Sequence, residues 1–148
     1  MFSRACLLSA LLACAGCGDS MSPSDPFANL AGTWTGQIGT PMSGSAVRVT
    51  WSANQAGNAM QGIARLSKPA MGTEVSGTLS GLITGDQVGM LFTGGRMSVP
   101  TVPNCAVMGT GSSTVSGNAI SGTFTLNVTG CDGVGIESVT NAPLSLIR

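Results

Sequence analysis

Residues able to do chemistry are few in this 148-residue chain, and they are thinly spread. Beyond residue 30 the carboxylates are Glu74, Asp86, Asp132 and Glu137. There is no His and no Tyr, which removes the usual general base, the commonest metal ligand and the phenolic acid together. Asp86 follows a glycine and Asp132 precedes one, settings in which the side chain serves turn geometry. Cys105 and Cys131 lack the imidazole that would activate a thiolate nucleophile. No Gly-x-Ser-x-Gly elbow or phosphate-binding loop is present, and a calcium site would need clustered acids. Met42, Met71, Met97 and Met108 could suggest a soft metal, but Met without His is more simply a core filler. The chain is expected to be no enzyme, to hold no metal and to need no cofactor.

Composition narrows the classes further. Charged residues are 8% of the chain and the net charge is zero, so nucleic acid is excluded as an expected partner, because phosphate binding needs surplus Lys and Arg. With 22 glycines and abundant Ser and Thr, the chain suits short strands and tight turns. Period-two alternation between turn signals predicts eight strands, at 32–39, 45–54, 58–66, 74–84, 86–93, 104–114, 117–129 and 135–147. No stretch carries a helical pattern, so no C-terminal helix is expected. A weak repeat relates Asn58-Ala59-Met60-Gln61-Gly62 to Asn118-Ala119-Ile120-Ser121-Gly122, each a turn opening a strand. Gly62, Gly77, Gly81, Gly89, Gly109 and Gly122 fall inside predicted strands, where they permit the coiling that closes a small barrel. The expected fold over 31–148 is an all-β, antiparallel up-and-down barrel of about eight strands, whose interior is either solid or holds one small ligand.

In such a meander the loops sort onto two ends. One end has short turns: 55–57, Gly85-Asp86 and Ser116-Gly117. The other has longer connections richer in Pro and Met, at 40–44, 67–73, 94–103 and 130–134. Long loops on a rigid scaffold are the usual carriers of binding. Glu74 is placed beside that end with Lys68 and Arg96, and Met71 and Met97 join them as a rim facing a ligand or partner. A solvated charged rim is the plainer alternative.

The N-terminus reads Met-Phe-Ser-Arg, then an apolar run from Ala5 to Gly16, too short to span a bilayer as a mature helix. The run ends in small residues and Cys17, followed by polar Gly18, Asp19 and Ser20. This resembles the lipobox of bacterial lipoproteins, which implies a signal peptide over 1–16 and a diacylglyceryl anchor on Cys17, with Cys14 as the alternative. The resemblance places the chain in a bacterial cell envelope, on the outer membrane or the periplasmic face of a membrane, with 17–30 as a flexible spacer. Cys17 is preferred because it leaves an even pair, Cys105 and Cys131, in an oxidising compartment. Both fall at the long-loop end, so a disulfide between them is expected.

Gly32-Thr33-Trp34 at the start of the first strand resembles the Gly-x-Trp signature of lipocalins and related calycin barrels. In that family the tryptophan closes the barrel base beneath an arginine from the end of the last strand, a role the resemblance gives to Arg148. The family's middle motifs and C-terminal helix are missing here. The resemblance implies a cup for a small apolar ligand. The other expectation is a structural or protein-interaction module acting through its long loops, a class that includes barrel-type protease inhibitors.

Overall fold

Alternation of apolar and polar residues translates directly into strands, because successive side chains point to opposite faces of a sheet. A computed structural model of the chain describes residues 27–40, 46–99, 105–131 and 135–148, with only the backbone described over 95–99. The eight strands, in chain order, are β1 (Gly32–Ile38), β2 (Val47–Ala56), β3 (Ala59–Lys68), β4 (Thr73–Thr84), β5 (Gln87–Val99), β6 (Ala106–Ser116), β7 (Ala119–Thr129) and β8 (Val139–Ile147). Each pairs antiparallel with the next, and β1 also pairs with β8, from Thr35 opposite Ile147 to Ile38 opposite Leu144. The result is a closed up-and-down barrel. The described residues contain one 3₁₀ turn, Pro69–Met71, and no α-helix.

Three connections are two-residue hairpins: Gly57-Asn58, Gly85-Asp86 and Gly117-Asn118. Their glycines hold φ of 58°, 61° and 58°, while the residue after each stays out of the left-handed region. Glycine at the first central position is the requirement of a type II′ turn, whose twist matches that of the flanking strands. Two of these turns sit one residue later than the sequence suggests, because the asparagine belongs to the turn rather than to the strand. The weak repeat has a physical basis here. Gly62 abuts the backbone carbonyl of Ser52 and Gly122 that of Ser112, so a Cβ at either would strike the preceding strand.

At the other end the strand bounds depart further from expectation. β5 runs to Val99, through residues expected to be loop, and the β4–β5 register shifts around Glu74, Val75 and Gly77. A bulge of this kind absorbs extra residues without ending the pairing, which is how Gly94-Gly95 breaks the alternation but not the strand. β8 starts at Val139 rather than 135, leaving Ile136 in the connection, where it is buried.

Inside, the barrel is solid. Trp34 and Trp51 face each other across β1 and β2, and with Phe92 they head the fully buried side chains. The glycines do not open a lumen; they seat aromatic rings. Phe124 lies over both Gly109 and Gly111, and a Cβ at Gly77 or Gly94 would come within 2.7 or 2.8 Å of the Phe92 ring. Gly81 likewise receives the tip of Met60. Gly89 is different: it lies between buried Val88 and Met90 and therefore faces outward, with nothing within 4 Å of where a Cβ would stand. The space left among Ile38, Val49, Leu79, Phe92, Phe124 and Leu144 is about 10 Å³, no more than one water would need.

Candidate functional site

The short-turn end is closed by the chain that leads into β1. Leu30 is 0% exposed, and Phe27 and Ala28 pack partly buried against the same core, so the packed domain begins ahead of residue 31. Gln55 clamps this segment. Its Oε1 accepts from the Leu30 N–H at 2.6 Å, and its Nε2 donates to the Ala28 and Gly57 carbonyls at 3.1 and 2.9 Å. The Ala28 N–H reaches the Gly85 carbonyl at 3.2 Å. Trp34 Nε1 donates to the Leu30 carbonyl at 2.8 Å, which satisfies a buried donor and fixes the ring.

Arg148 completes the closure. Its guanidinium sits 4.9 Å from the centre of the Trp34 ring. It donates to the Asn29 and Ala31 carbonyls at 3.3 and 3.0 Å and to Asn118 Oδ1 at 3.2 Å. A planar fork of donors over an aromatic face suits arginine and would not suit lysine. Gly32 holds φ of 125°, and a Cβ there would lie 3.3 Å from the Arg148 side chain. Both its conformation and its crowding favour glycine. Gln55 and Leu30 carry no mark in the sequence: one stands in an expected turn and the other at the end of an expected spacer.

At the long-loop end Cys105 and Cys131 form a disulfide, with their Cα atoms 4.6 Å apart. Both are buried, as is Ile136 in the neighbouring connection. Met71, in the 3₁₀ turn, lays its thioether against Gly135 of the β7–β8 connection, so two loops meet across this mouth. Of the rim residues, Glu74 forms an exposed ion pair with Arg65 at 3.5 Å, a partner the sequence does not suggest. Lys68 ends β3 half-buried, across from Thr73. Arg96 and Met97 fall within β5, Met97 opposite Val75, with side chains outside the described atoms. Cys14, Cys17, Met42 and Asp132 lie outside the described residues.

Among the described residues neither end gathers a catalytic or ligating set. No three of His, Cys, Asp and Glu cluster there to hold a metal, again among the described residues. The interior carries few polar side-chain groups; Trp51 Nε1 and Ser113 Oγ are buried there with no hydrogen-bond partner among the described residues. A larger hollow is an open trough of about 790 Å³ lined by Gln61, Ser80, Leu82 and Leu91 together with the buried Met60 and Met90. Comparison with family models, with curated proteins and with solved structures returns no match, so function has to be read from the residues of this chain. Outward positions on the wall, such as Ser52, Gln61, Thr93, Thr110 and Asn127, are polar and exposed while the inward set is apolar. That is the reverse of a barrel spanning a bilayer, which turns an apolar band outward.

Proposed function

We propose that this chain is a lipid-anchored envelope protein whose solid barrel serves as a structural or protein-interaction module, acting through its long-loop end. The observation that carries the reading is the interior, where about 10 Å³ remains free among apolar side chains. A lipocalin-like cup for a small apolar ligand has no seat in such a core, since ligand cavities run to several hundred Å³, roughly 300–1,000. What the fold offers a partner is its surface, and the connections at the disulfide end are longer in sequence than the two-residue turns at the other. A barrel-type inhibitor, presenting a loop to a protease, is one specific form of this reading.

Photo-crosslinking in the native envelope tests it. A crosslinker at Met71 or Glu137, both exposed at the long-loop end, should give one shared crosslinked species. The same group at Thr110 on the wall should not give it, and replacing residues 100–104 by a two-residue turn should remove it. Identical products from wall and loop positions would overturn the proposal. For the anchor, Cys17→Ala should leave the signal uncleaved and the protein unlipidated by mass spectrometry, whereas Cys14→Ala should not. The opposite pattern assigns the lipid to Cys14.

A further inference from the structure

A contact between two loops crosses the mouth of the barrel. The β3–β4 connection, residues 69–72, and the β7–β8 connection stand on opposite sides of the eight-stranded ring, yet the Met71 thioether rests on Gly135. The turn that presents Met71 is stiff. Pro69 restricts the backbone at its entry. The Gly72 N–H donates to the Pro69 carbonyl at 3.1 Å, and Gly72 closes the turn with φ of 63°. Thr73, where β4 begins, is buried and donates from Oγ to the Met71 carbonyl at 3.5 Å.

The facing connection is fastened near each of its ends. Cys131 is bonded to Cys105, and Ser138 Oγ accepts from the Val128 N–H at 2.9 Å. Between those points Ile136 is buried and Gly135 receives the sulfur. Gly135 holds φ of 76°, and Cγ, Sδ and Cε of Met71 crowd the place where a Cβ would stand. Glycine is needed there for its backbone and for its bare face. Met71, Cys131, Ile136 and Glu137 line one hollow of about 430 Å³. Met71 is 52% exposed and Met108, on the wall opposite Thr93 and Asn127, is 53% exposed, whereas Met60 and Met90 are buried.

We infer that Met71 is a site of oxidative modification by a peroxide, and that its sulfoxide unlatches the β7–β8 connection from the opposite side of the mouth. The sulfur lone pair attacks one peroxide oxygen, the O–O bond breaks, and that oxygen stays on sulfur. The departing hydroxide takes up the proton left on the transferred oxygen and leaves as water. Sulfur is thereby oxidised by two electrons and the peroxide is reduced. A thioether is apolar and adaptable, which suits a seat on bare glycine. The sulfoxide is polar and chiral, and its oxygen, a strong acceptor, draws the group away from that seat toward water. The connection then opens locally between its fastened points. Cys105 and Cys131, buried while the latch is closed, become easier for a reductant to reach. Neither the anchor nor a partner enters into this.

The test treats the full chain with hydrogen peroxide and follows each methionine by peptide mapping. Met71 and Met108 should gain an oxygen well before Met60 and Met90. The rate at which a water-soluble phosphine reduces the Cys105–Cys131 bond should then rise several-fold. In Met108→Leu that rise should persist. In Met71→Leu the rate, whatever its starting value, should no longer respond to peroxide, although Met108 still oxidises. Met71→Gln, which puts a polar group at the same position, should raise the rate without peroxide. Oxidation of Met60 and Met90 in step with Met71 would show that the whole barrel has opened, and it overturns a local latch. An unchanged reduction rate once Met71 is fully oxidised overturns it as well. So does a rise that survives Met71→Leu, which assigns the effect to another residue.

Discussion

The two ends of the barrel are closed by different means. At the short-turn end, closure is a set of non-covalent contacts that lean on one another: Leu30 bonded to Trp34, Gln55 across the entering chain, Arg148 over the Trp34 ring. At the long-loop end, a covalent bond joins Cys105 and Cys131, with buried Ile136 and the Met71–Gly135 contact near it. In the first arrangement the members differ in weight, the buried Trp34 counting for more than the exposed Arg148. The second rests on a bond that ties the start of β6 to the end of β7. The first closure is built from many weak contacts and the second from one strong one, so single substitutions should weaken the two ends by different amounts.

Substitutions can break that comparison or sharpen it. The largest effect is expected at Trp34→Ala, which removes a fully buried aromatic and strands Arg148 and the Leu30 carbonyl. Loss of a buried Trp should cost about 3–5 kcal/mol in urea unfolding, and the variant will be close to its folding limit. Replacing both Cys105 and Cys131 by Ala should cost about 3 kcal/mol, from the entropy of an unfolded chain no longer closed over 26 residues. That loss should equal the effect of reductant on the parent and leave the emission maximum of the tryptophans unchanged. A shifted emission would show that the two ends are coupled after all.

Between the ends, Gly111→Ala should cost about 1–3 kcal/mol, because the methyl group meets the Phe124 ring in a core without slack. In the Phe124→Leu background the same change should cost measurably less, and additivity of the two would refute the seating of ring on glycine. Arg148→Ala is expected to be mildest, near 1 kcal/mol, since its cation–π contact and hydrogen bonds are partly solvated. It should nevertheless red-shift the Trp34 emission, and Arg148→Lys should restore little of it.

Much of this architecture is written in period-two alternation: all eight strands are visible there, because one face of each must be buried and the other wet. The turns are visible too, although Asn58 and Asn118 read as strand openers when they are the second residues of their turns. The interior is not legible in the same way. Gly109 and Gly111 look like places where side-chain volume is missing, and only the fold brings Phe124, a neighbour on the next strand, into that space. A sequence records the gap and its filling at separate positions, so small inward residues suggest a cavity that does not exist. Residues 27–30 are opaque for a related reason. Four residues cannot show a period, and the partners that hold them, Gln55 and Arg148, lie 25 or more positions away.

The bond from Arg148 to Asn29 spans 119 positions, and the β1–β8 seam spans nearly as many. Contacts so remote in sequence form late and slow a chain's folding, because a long loop must close before they return anything. A partly emerged chain, still lacking β8, therefore has hairpins but no barrel. The barrel can close only after the last strand has arrived.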